Sequence, residues 1–146
     1  MKALTIKNPW ALLIAAGIKD IENRTWRTKF RGRTYIHAGQ SLACKPTGLQ
    51  ELLTPEQFNI VNTYEVYRQV LGLGFKKSCI IGEVDIVDCV LNHPSIWAEQ
   101  SAVVMRKING VHQPTEVPVW NWVLANQVLY DKPIENVKGK LSFWEY

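Results

Sequence analysis

The fold is decided by residues 8–38, which read NPWALLIAAGIKDIENRTWRTKFRGRTYIHA. Asn8-Pro9 predicts the start of a helix, because asparagine caps a helix and proline fits its first position. The apolar run that follows ends at Gly17, a residue type suited to the left-handed backbone after a helix. Residues 18–26 and 33–38 then predict two strands. A short helix placed between strands is typical of an α+β fold.

The first half of the chain adds a strand and a helical region to this segment. Residues 1–7 alternate in polarity and predict a first strand. Residues 42–53 predict a helix with a break at Pro46. The stretch 54–57, Thr-Pro-Glu-Gln, is a capping box, and apolar residues at helical spacing predict that its helix runs to Gly72.

The second half of the chain predicts mostly strands. Residues 78–90, 119–130 and 137–146 are rich in β-branched and aromatic residues. Asn109-Gly110 between two apolar-rich runs predicts a hairpin turn. The strands are too closely spaced for repeated β-α-β units, so we expect a small mixed β-barrel with flanking helices, formed as one domain over residues 1–146.

Composition limits the class of protein. The chain has 146 residues, 47% of them hydrophobic and 21% charged, as is usual for a globular domain. It has no apolar run of about 20 residues and no signal-peptide pattern, so a cytoplasmic protein without a membrane segment is expected. Its three cysteines and three histidines are widely spaced in the sequence, so neither a disulfide framework nor a metal site is predicted, and no cofactor is indicated.

The charge of the chain is concentrated in residues 19–33. This segment holds six basic and two acidic residues, a net charge of +4. The whole chain holds 17 basic and 13 acidic residues, also +4, so the remainder is balanced with 11 of each sign. Cations mixed with Trp26 and Phe30 suit a polyanion with stackable bases, which predicts a nucleic-acid or nucleotide ligand.

Several motifs in the chain resemble the ASCH domain family, named for activating signal cointegrator 1 homology. The similar segments are Asn8-Pro9-Trp10-Ala11, a G-x-K-x-x-E-x-R run over residues 17–24, and Arg31-Gly32 followed by the strand at 35–38. Residues 81–84 resemble the central strand of the family, and residues 138–144 resemble its closing K-G-x-x-x-x-W motif. The resemblance implies a PUA-like mixed β-barrel and, for function, binding of RNA or another nucleic acid.

For a nucleic-acid-binding protein, cations would hold phosphates and an aromatic ring would stack on a base. The expected binding residues are Lys19, Arg24, Trp26, Arg27, Lys29, Arg31 and Arg33. Trp10, which opens an apolar helix, is expected in the core. A protein-interaction module is a further alternative, and its partner would stay bound after these cations are neutralised.

Two enzymatic alternatives depend on Lys19, Glu22 and Glu83. The resemblance implies an amide hydrolase acting on N4-acetylated cytidine-type nucleosides, with Lys19 and Glu83 as the reactive pair and Glu22 where that branch has threonine. A lysine with a lowered pKa, or a desolvated carboxylate, could activate water for this reaction. The other alternative is a ribonuclease, in which Glu22, Glu83 and Asp85 could gather a magnesium ion.

Overall fold

The structure is a computed structural model that describes residues 1–65 and 75–146. Strands predominate, and within the described residues three short helices and one 3-10 turn lie between the first four of them. The strands are β1 (Lys2–Asn8), β2 (Ile21–Arg24), β3 (Gly32–Leu42), β4 (Cys79–Val90), β5 (Ser101–Ile108), β6 (Val111–Pro118), β7 (Trp120–Ile134) and β8 (Phe143–Glu145). The helices are α1 (Trp10–Ala15), α2 (Leu49–Leu52) and α3 (Pro55–Val61), and the 3-10 turn is Pro46–Gly48.

Six strands form one sheet in the order β2-β7-β4-β3-β1-β8, and β5 and β6 form a separate two-stranded ribbon. The pair β1–β3 is parallel and all other pairs are antiparallel. The predicted α+β class is therefore confirmed. In the described residues no strand pairing joins the edge strand β2 to the edge strand β8. Closure of the sheet into a barrel stays a prediction.

The sheet is curved, so that strands near its two edges meet across the core. Trp122 of β7 and Phe143 of β8 stack with ring centroids 5.4 Å apart and planes 17° from parallel. Trp122 is fully buried in the cluster that α1 shares with the central strands. Burial of this apolar surface is the main stabilising contribution, at about 25 cal/mol per Å².

The helix predicted after Asn8-Pro9 is confirmed. Its N-cap residue is Pro9 and not Asn8 as predicted, because α1 begins at Trp10. The Asn8 side chain still supports the first turn, since its Oδ1 accepts a hydrogen bond from the Leu12 amide at 3.0 Å. Gly17 follows the helix with φ +80°, the left-handed backbone that glycine tolerates best. An added Cβ there would also lie 2.2 Å from Nε2 of Gln127. Both the backbone conformation and the lack of space therefore favour glycine at this position.

The strand predicted over residues 18–26 is too long, because β2 begins only at Ile21. The amides of Ile18 and Lys19 both donate to the Leu13 carbonyl oxygen, at 2.9 and 3.0 Å, and so complete the end of α1. The strand predicted from residue 33 is longer than expected, since β3 continues to Leu42. It therefore occupies the start of the predicted 42–53 helix, of which only the 3-10 turn and α2 form.

The capping box is confirmed, because Thr54 Oγ1 accepts from the Gln57 amide and Gln57 Oε1 accepts from the Thr54 amide. The helix α3 that it opens ends at Val61, earlier than predicted. The rest of that predicted helix, over residues 66–72, lies outside the described residues. The strand at residues 78–90 and the Asn109-Gly110 hairpin are confirmed. The closing strand predicted over residues 137–146 is too long, because only Phe143–Glu145 forms a strand.

Among the described residues, no helix has the length and apolar character needed to cross a membrane.

Candidate nucleic-acid interface

Glu22 of β2 is the centre of a buried group of charges. Its Oε1 accepts a hydrogen bond from Arg24 Nε at 2.7 Å, and its Oε2 lies 4.0 Å from Lys19 Nζ. Glu22 and Arg24 are two residues apart on one strand, so their side chains leave the same face. The structure thus brings together three of the residues in the G-x-K-x-x-E-x-R run, and the carboxylate orients both cations.

The Lys19 side chain points inward, because the turn that ends α1 directs it toward the face of the Trp10 ring. Its side chain is 4% exposed, its ammonium donates to the Ile21 carbonyl oxygen, and Nζ lies 5.4 Å from the centre of the Trp10 ring. Burial lowers the pKa of Lys19 from its ordinary value, and the nearby Glu22 carboxylate opposes this shift. Lys19 is therefore a desolvated amine beside a carboxylate and not an exposed phosphate ligand.

Arg24 connects this group of charges to the other side of the sheet. Its Nη2 donates to the Thr5 carbonyl oxygen on β1 at 3.0 Å, while Nε is held by Glu22. The side chain is 24% exposed. A guanidinium has five N–H donors, so three remain for a ligand in a direction that these two contacts fix.

A cavity of about 480 Å³ opens beside Arg24, between β1, β2, the end of β3 and the segment before β8. Its lining combines charged, hydroxyl, aromatic and aliphatic groups, as is usual for a ligand site. The lining residues include Thr5, Lys7, Trp10, Glu22, Arg24 and Lys140. A smaller cavity of about 110 Å³ adjoins Lys19 and shares Trp10 and Glu22 with the first.

The segment that carries Lys140 to this cavity is fixed by the buried His37. His37 Nε2 donates to the Val137 carbonyl oxygen at 2.7 Å, and Nδ1 accepts from the Thr5 hydroxyl at 3.2 Å. Trp144 Nε1 donates to the same hydroxyl at 3.2 Å. Gly139 fits between them, because a Cβ there would lie 2.6 Å from His37 Cε1. These contacts give His37 a structural role.

Two of the predicted binding arginines are paired with carboxylates of β4. Arg33 Nε is 2.8 Å from Glu83 and its Nη1 is 3.2 Å from Asp85. Arg31 Nη2 is 3.5 Å from Asp88, and its Nη1 donates to the carbonyl oxygens of Thr28 and Phe30. The cationic segment of the sequence is therefore partly neutralised in the fold by acids from a strand 50 or more residues away.

The remaining predicted binding residues lie on the loop between β2 and β3. Arg27 and Lys29 are exposed, and the Arg27 guanidinium carbon lies 5.4 Å from the Trp120 ring centre. Trp26 is 36% exposed and packs edge-on against Trp122, with ring centroids 4.6 Å apart. Its carbonyl oxygen accepts a hydrogen bond from Trp122 Nε1 at 3.2 Å. Trp26 thus has both a structural contact and an accessible surface.

Glu83 lies apart from Lys19 and Glu22. It faces Val128 of β7 across the sheet, whereas Glu22 faces Trp122, six residues or about 20 Å earlier on the same strand. Its carboxylate accepts a hydrogen bond from the Tyr130 hydroxyl and pairs with Arg33, and these contacts lower its pKa. Within residues 1–65 and 75–146, no group of three or more histidine, cysteine or acidic residues could hold a metal ion.

Two cations of the cavity were not among the predicted binding residues. Lys7 and Lys140 are exposed cations that line it, and both lie outside the basic segment. Trp10 was expected in the core, yet it also lines both cavities while packing against two apolar clusters. The closing K-G-K sequence at 138–140 was a signal for Lys140, whereas nothing in the sequence distinguishes Lys7 from other strand lysines.

The fold and site together define a small α+β domain with a cation-lined cavity between strand ends. A family model described as the ASCH domain matches residues 4–136, so the chain belongs to the ASCH domain family. It is 32% identical over 93 residues to activating signal cointegrator 1 of Homo sapiens and 31% identical to that of Mus musculus. Each match covers 60% of this chain but only 14% of the relative, so the chain corresponds to a small part of those proteins.

Proposed function

We propose that this chain binds RNA, through one nucleotide unit held in the cavity beside Arg24. The observation that carries the proposal is the Arg24 guanidinium, fixed by Glu22 and the Thr5 carbonyl in the wall of a cavity of about 480 Å³. Among the described residues, its other three N–H groups have no hydrogen-bond acceptor. Arginine in a fixed orientation recognises phosphate or a base edge through paired hydrogen bonds. Membership in the ASCH family supports a binding role of this kind.

The two exposed lysines supply the electrostatic part of the proposed site. Lys7 and Lys140 line the cavity from β1 and from the segment before β8, so a phosphate at its mouth could be approached by both. The Trp10 ring offers an apolar surface on which a base can stack, a contact that contributes about 1 to 3 kcal/mol per base. Arg27, Lys29 and Trp26 would contact the strand farther along its backbone. The curved sheet would be a PUA-like barrel.

The test is fluorescence anisotropy of labelled single-stranded RNA over a series of salt concentrations. Lys7→Ala and Lys140→Ala should each weaken binding and lower the salt slope by about 1, because each removes one phosphate contact. Arg24→Lys should weaken binding with less change in slope, since it keeps the charge and loses the fork of donors. Lys132→Ala on β7 is the matched control and should bind as the unaltered chain does.

Two outcomes would overturn this proposal. One is the absence of salt-dependent binding, and the other is binding that Arg24→Lys, Lys7→Ala and Lys140→Ala all leave unchanged. Recovery of the RNA from the same samples distinguishes a binding protein, which leaves it intact, from a ribonuclease, which shortens it.

A second candidate function, hydrolysis of an N4-acetylated cytidine-type nucleoside, is favoured by Lys19. This lysine has a lowered pKa and adjoins a small cavity together with Glu22. Water would add across the amide to release acetate and the free amine, with Lys19 or Glu22 accepting a proton. Acetate release from N4-acetylcytidine that is lost in Lys19→Met would support this function, and its absence from the unaltered chain would contradict it.

A further inference from the structure

The β5–β6 ribbon is a separate element whose described contacts are almost all internal. Eight residue pairs join its strands, from Ser101–Pro118 to Ile108–Val111, a length of about 27 Å. Asn109 and Gly110 at the tip have φ of +51° and +81°, the conformation of a type I′ turn. In such a two-residue hairpin the flanking pair, Ile108 and Val111, is hydrogen-bonded.

The backbone alternation follows from this turn. Pairs in an antiparallel ladder are alternately hydrogen-bonded and non-hydrogen-bonded, so the pairs that contain Lys107, Met105, Val103 and Ser101 are non-hydrogen-bonded. Pro114 lies opposite Met105, which agrees with a non-hydrogen-bonded pair because proline has no N–H to donate. The amides and carbonyls of these four β5 residues therefore point away from β6, along the outer edge of the ribbon.

The two outer edges differ in their capacity to pair with another strand. On β6 the outward positions are 112, 114, 116 and 118, and two of these are proline. Proline at an edge blocks strand addition. On β5 all four outward residues have an N–H, and in the described part of the chain β5 is paired with β6 alone. Strand addition is therefore possible at β5.

Two of the four outward side chains on β5, Val103 and Met105, are apolar and exposed, whereas Ser101 and Lys107 are polar. Val103 is 69% exposed and Met105 is 63% exposed, and both lie on the same face of the ribbon as Pro114. An edge strand with unpaired backbone groups and exposed apolar side chains is a template for pairing with another chain.

We propose that β5 pairs antiparallel with β5 of a second copy of this chain, forming a four-stranded sheet β6-β5-β5-β6. The two-fold axis would pass beside Val104, so that Val103 faces Met105 of the other copy and Ser101 faces Lys107. All four outward residues then lie in hydrogen-bonded pairs, which supply eight backbone bonds. The Val103, Met105 and Pro114 side chains of both copies form one apolar cluster on one face.

The distribution of charge on β5 is compatible with this register. Its two charged residues, Arg106 and Lys107, are at one end of the strand, where the antiparallel arrangement places Ala102 and Ser101 of the other copy. No cation then lies opposite another cation. Two cations directly opposite each other would destabilise the pairing. A parallel arrangement in register would place Arg106 and Lys107 beside their own copies.

A cysteine substitution tests the register directly. The axis places Val104 opposite itself in a non-hydrogen-bonded pair, where the Cα atoms are about 4.5 Å apart and within disulfide range. Val104→Cys should therefore form a covalent dimer on mild oxidation, seen on a non-reducing gel. Val103→Cys, which would face Met105 instead of itself, is the control and should cross-link far less. Equal cross-linking of the two variants would contradict this register.

Charge substitutions test whether the contact forms without a covalent bond. An edge contact between two eight-residue strands is smaller than a standard interface, so sedimentation velocity should extend to about 1 mM protein. Val103→Lys with Met105→Lys places lysine opposite lysine and should abolish the dimer. Val103→Glu with Met105→Lys places opposite charges together and should restore it. Val111→Lys, away from the β5 edge, should leave it unchanged.

The proposal is overturned if the unaltered chain stays monomeric throughout this range, or if the Glu–Lys variant dimerises no better than the Lys–Lys variant. Either result would be independent of RNA binding, because the β5 residues do not line the cavity beside Arg24.

Discussion

Arg24 Nη2 donates a hydrogen bond to the Thr5 carbonyl oxygen at 3.0 Å, and so a side chain on the edge strand β2 reaches β1 near the opposite edge of the sheet. The pairing of β1 with β8 ends at Leu4, so Thr5 is the first residue beyond it. The same arginine is held by Glu22 and lines the cavity of about 480 Å³. The residue that bridges the curved sheet is thus also the centre of the proposed RNA-binding cavity.

Substitution Glu22→Gln should strongly destabilise the fold. It removes the carboxylate from the buried Lys19 and from Arg24, and breaking a buried ion pair costs about 3 to 5 kcal/mol. We expect the free energy of unfolding in urea to fall by about 3 kcal/mol. Glu145→Gln, which removes an exposed ion pair with Lys2, is the control and should leave the urea midpoint unchanged. Equal midpoints for all three proteins would contradict the buried network.

The Lys19 ammonium should make stability depend on pH in the alkaline range. Burial lowers the folded-state pKa below the ordinary value of 10.5, so between the two values the unfolded state binds more protons. The free energy of unfolding then rises with pH across that window. The difference between the unaltered chain and Lys19→Met, measured from about pH 7 to pH 10, should grow in favour of the unaltered chain. A constant difference would show that Lys19 has an ordinary pKa in the fold.

Tyr130→Phe should alter stability in acid through Glu83. The hydrogen bond from Tyr130 and the Arg33 contact hold the pKa of Glu83 below 4.5, so its contribution is present above that value and is lost as pH falls through the folded pKa. Without the hydroxyl the pKa should move back toward 4.5. The stability lost by the variant at neutral pH should therefore shrink in acid, as unfolding curves from pH 7 to pH 3 would show. An undiminished loss would mean that the hydroxyl acts through packing alone.

Gly139→Ala should disturb the segment that presents Lys140. The added methyl group would lie 2.6 Å from His37 Cε1 and 2.8 Å from Thr5 Oγ1, a clash that typically costs about 1 to 3 kcal/mol. Both the thermal midpoint and RNA affinity should fall. Gly48→Ala is the matched control, because its new methyl group meets only Cys44 Cβ at 3.4 Å. If Gly139→Ala kept its full affinity, the position of Lys140 would not matter for binding.

The sequence by itself determined the features that depend on neighbouring residues. Asn8, Gly17 and the Thr54–Gln57 capping box set helix ends, and Asn109-Gly110 sets a hairpin, because the physical cause of each lies within a few residues. The motif that contains Lys19, Glu22 and Arg24 was also visible in the sequence. Glu22 and Arg24 are two residues apart on a strand, so their side chains leave the same face.

The tertiary structure alone decided which charges are available to a ligand. Arg31 forms an ion pair with Asp88, and Arg33 forms ion pairs with Glu83 and Asp85. The positive charge of residues 19–33 in the sequence therefore did not reveal that these two arginines pair with carboxylates of β4. Lys7 and Lys140 reach the cavity only because β1 and the segment before β8 come together across the chain. Long-range strand pairing is set by burial of the whole core, which no local pattern contains, so the composition of the cavity could not be predicted from the sequence.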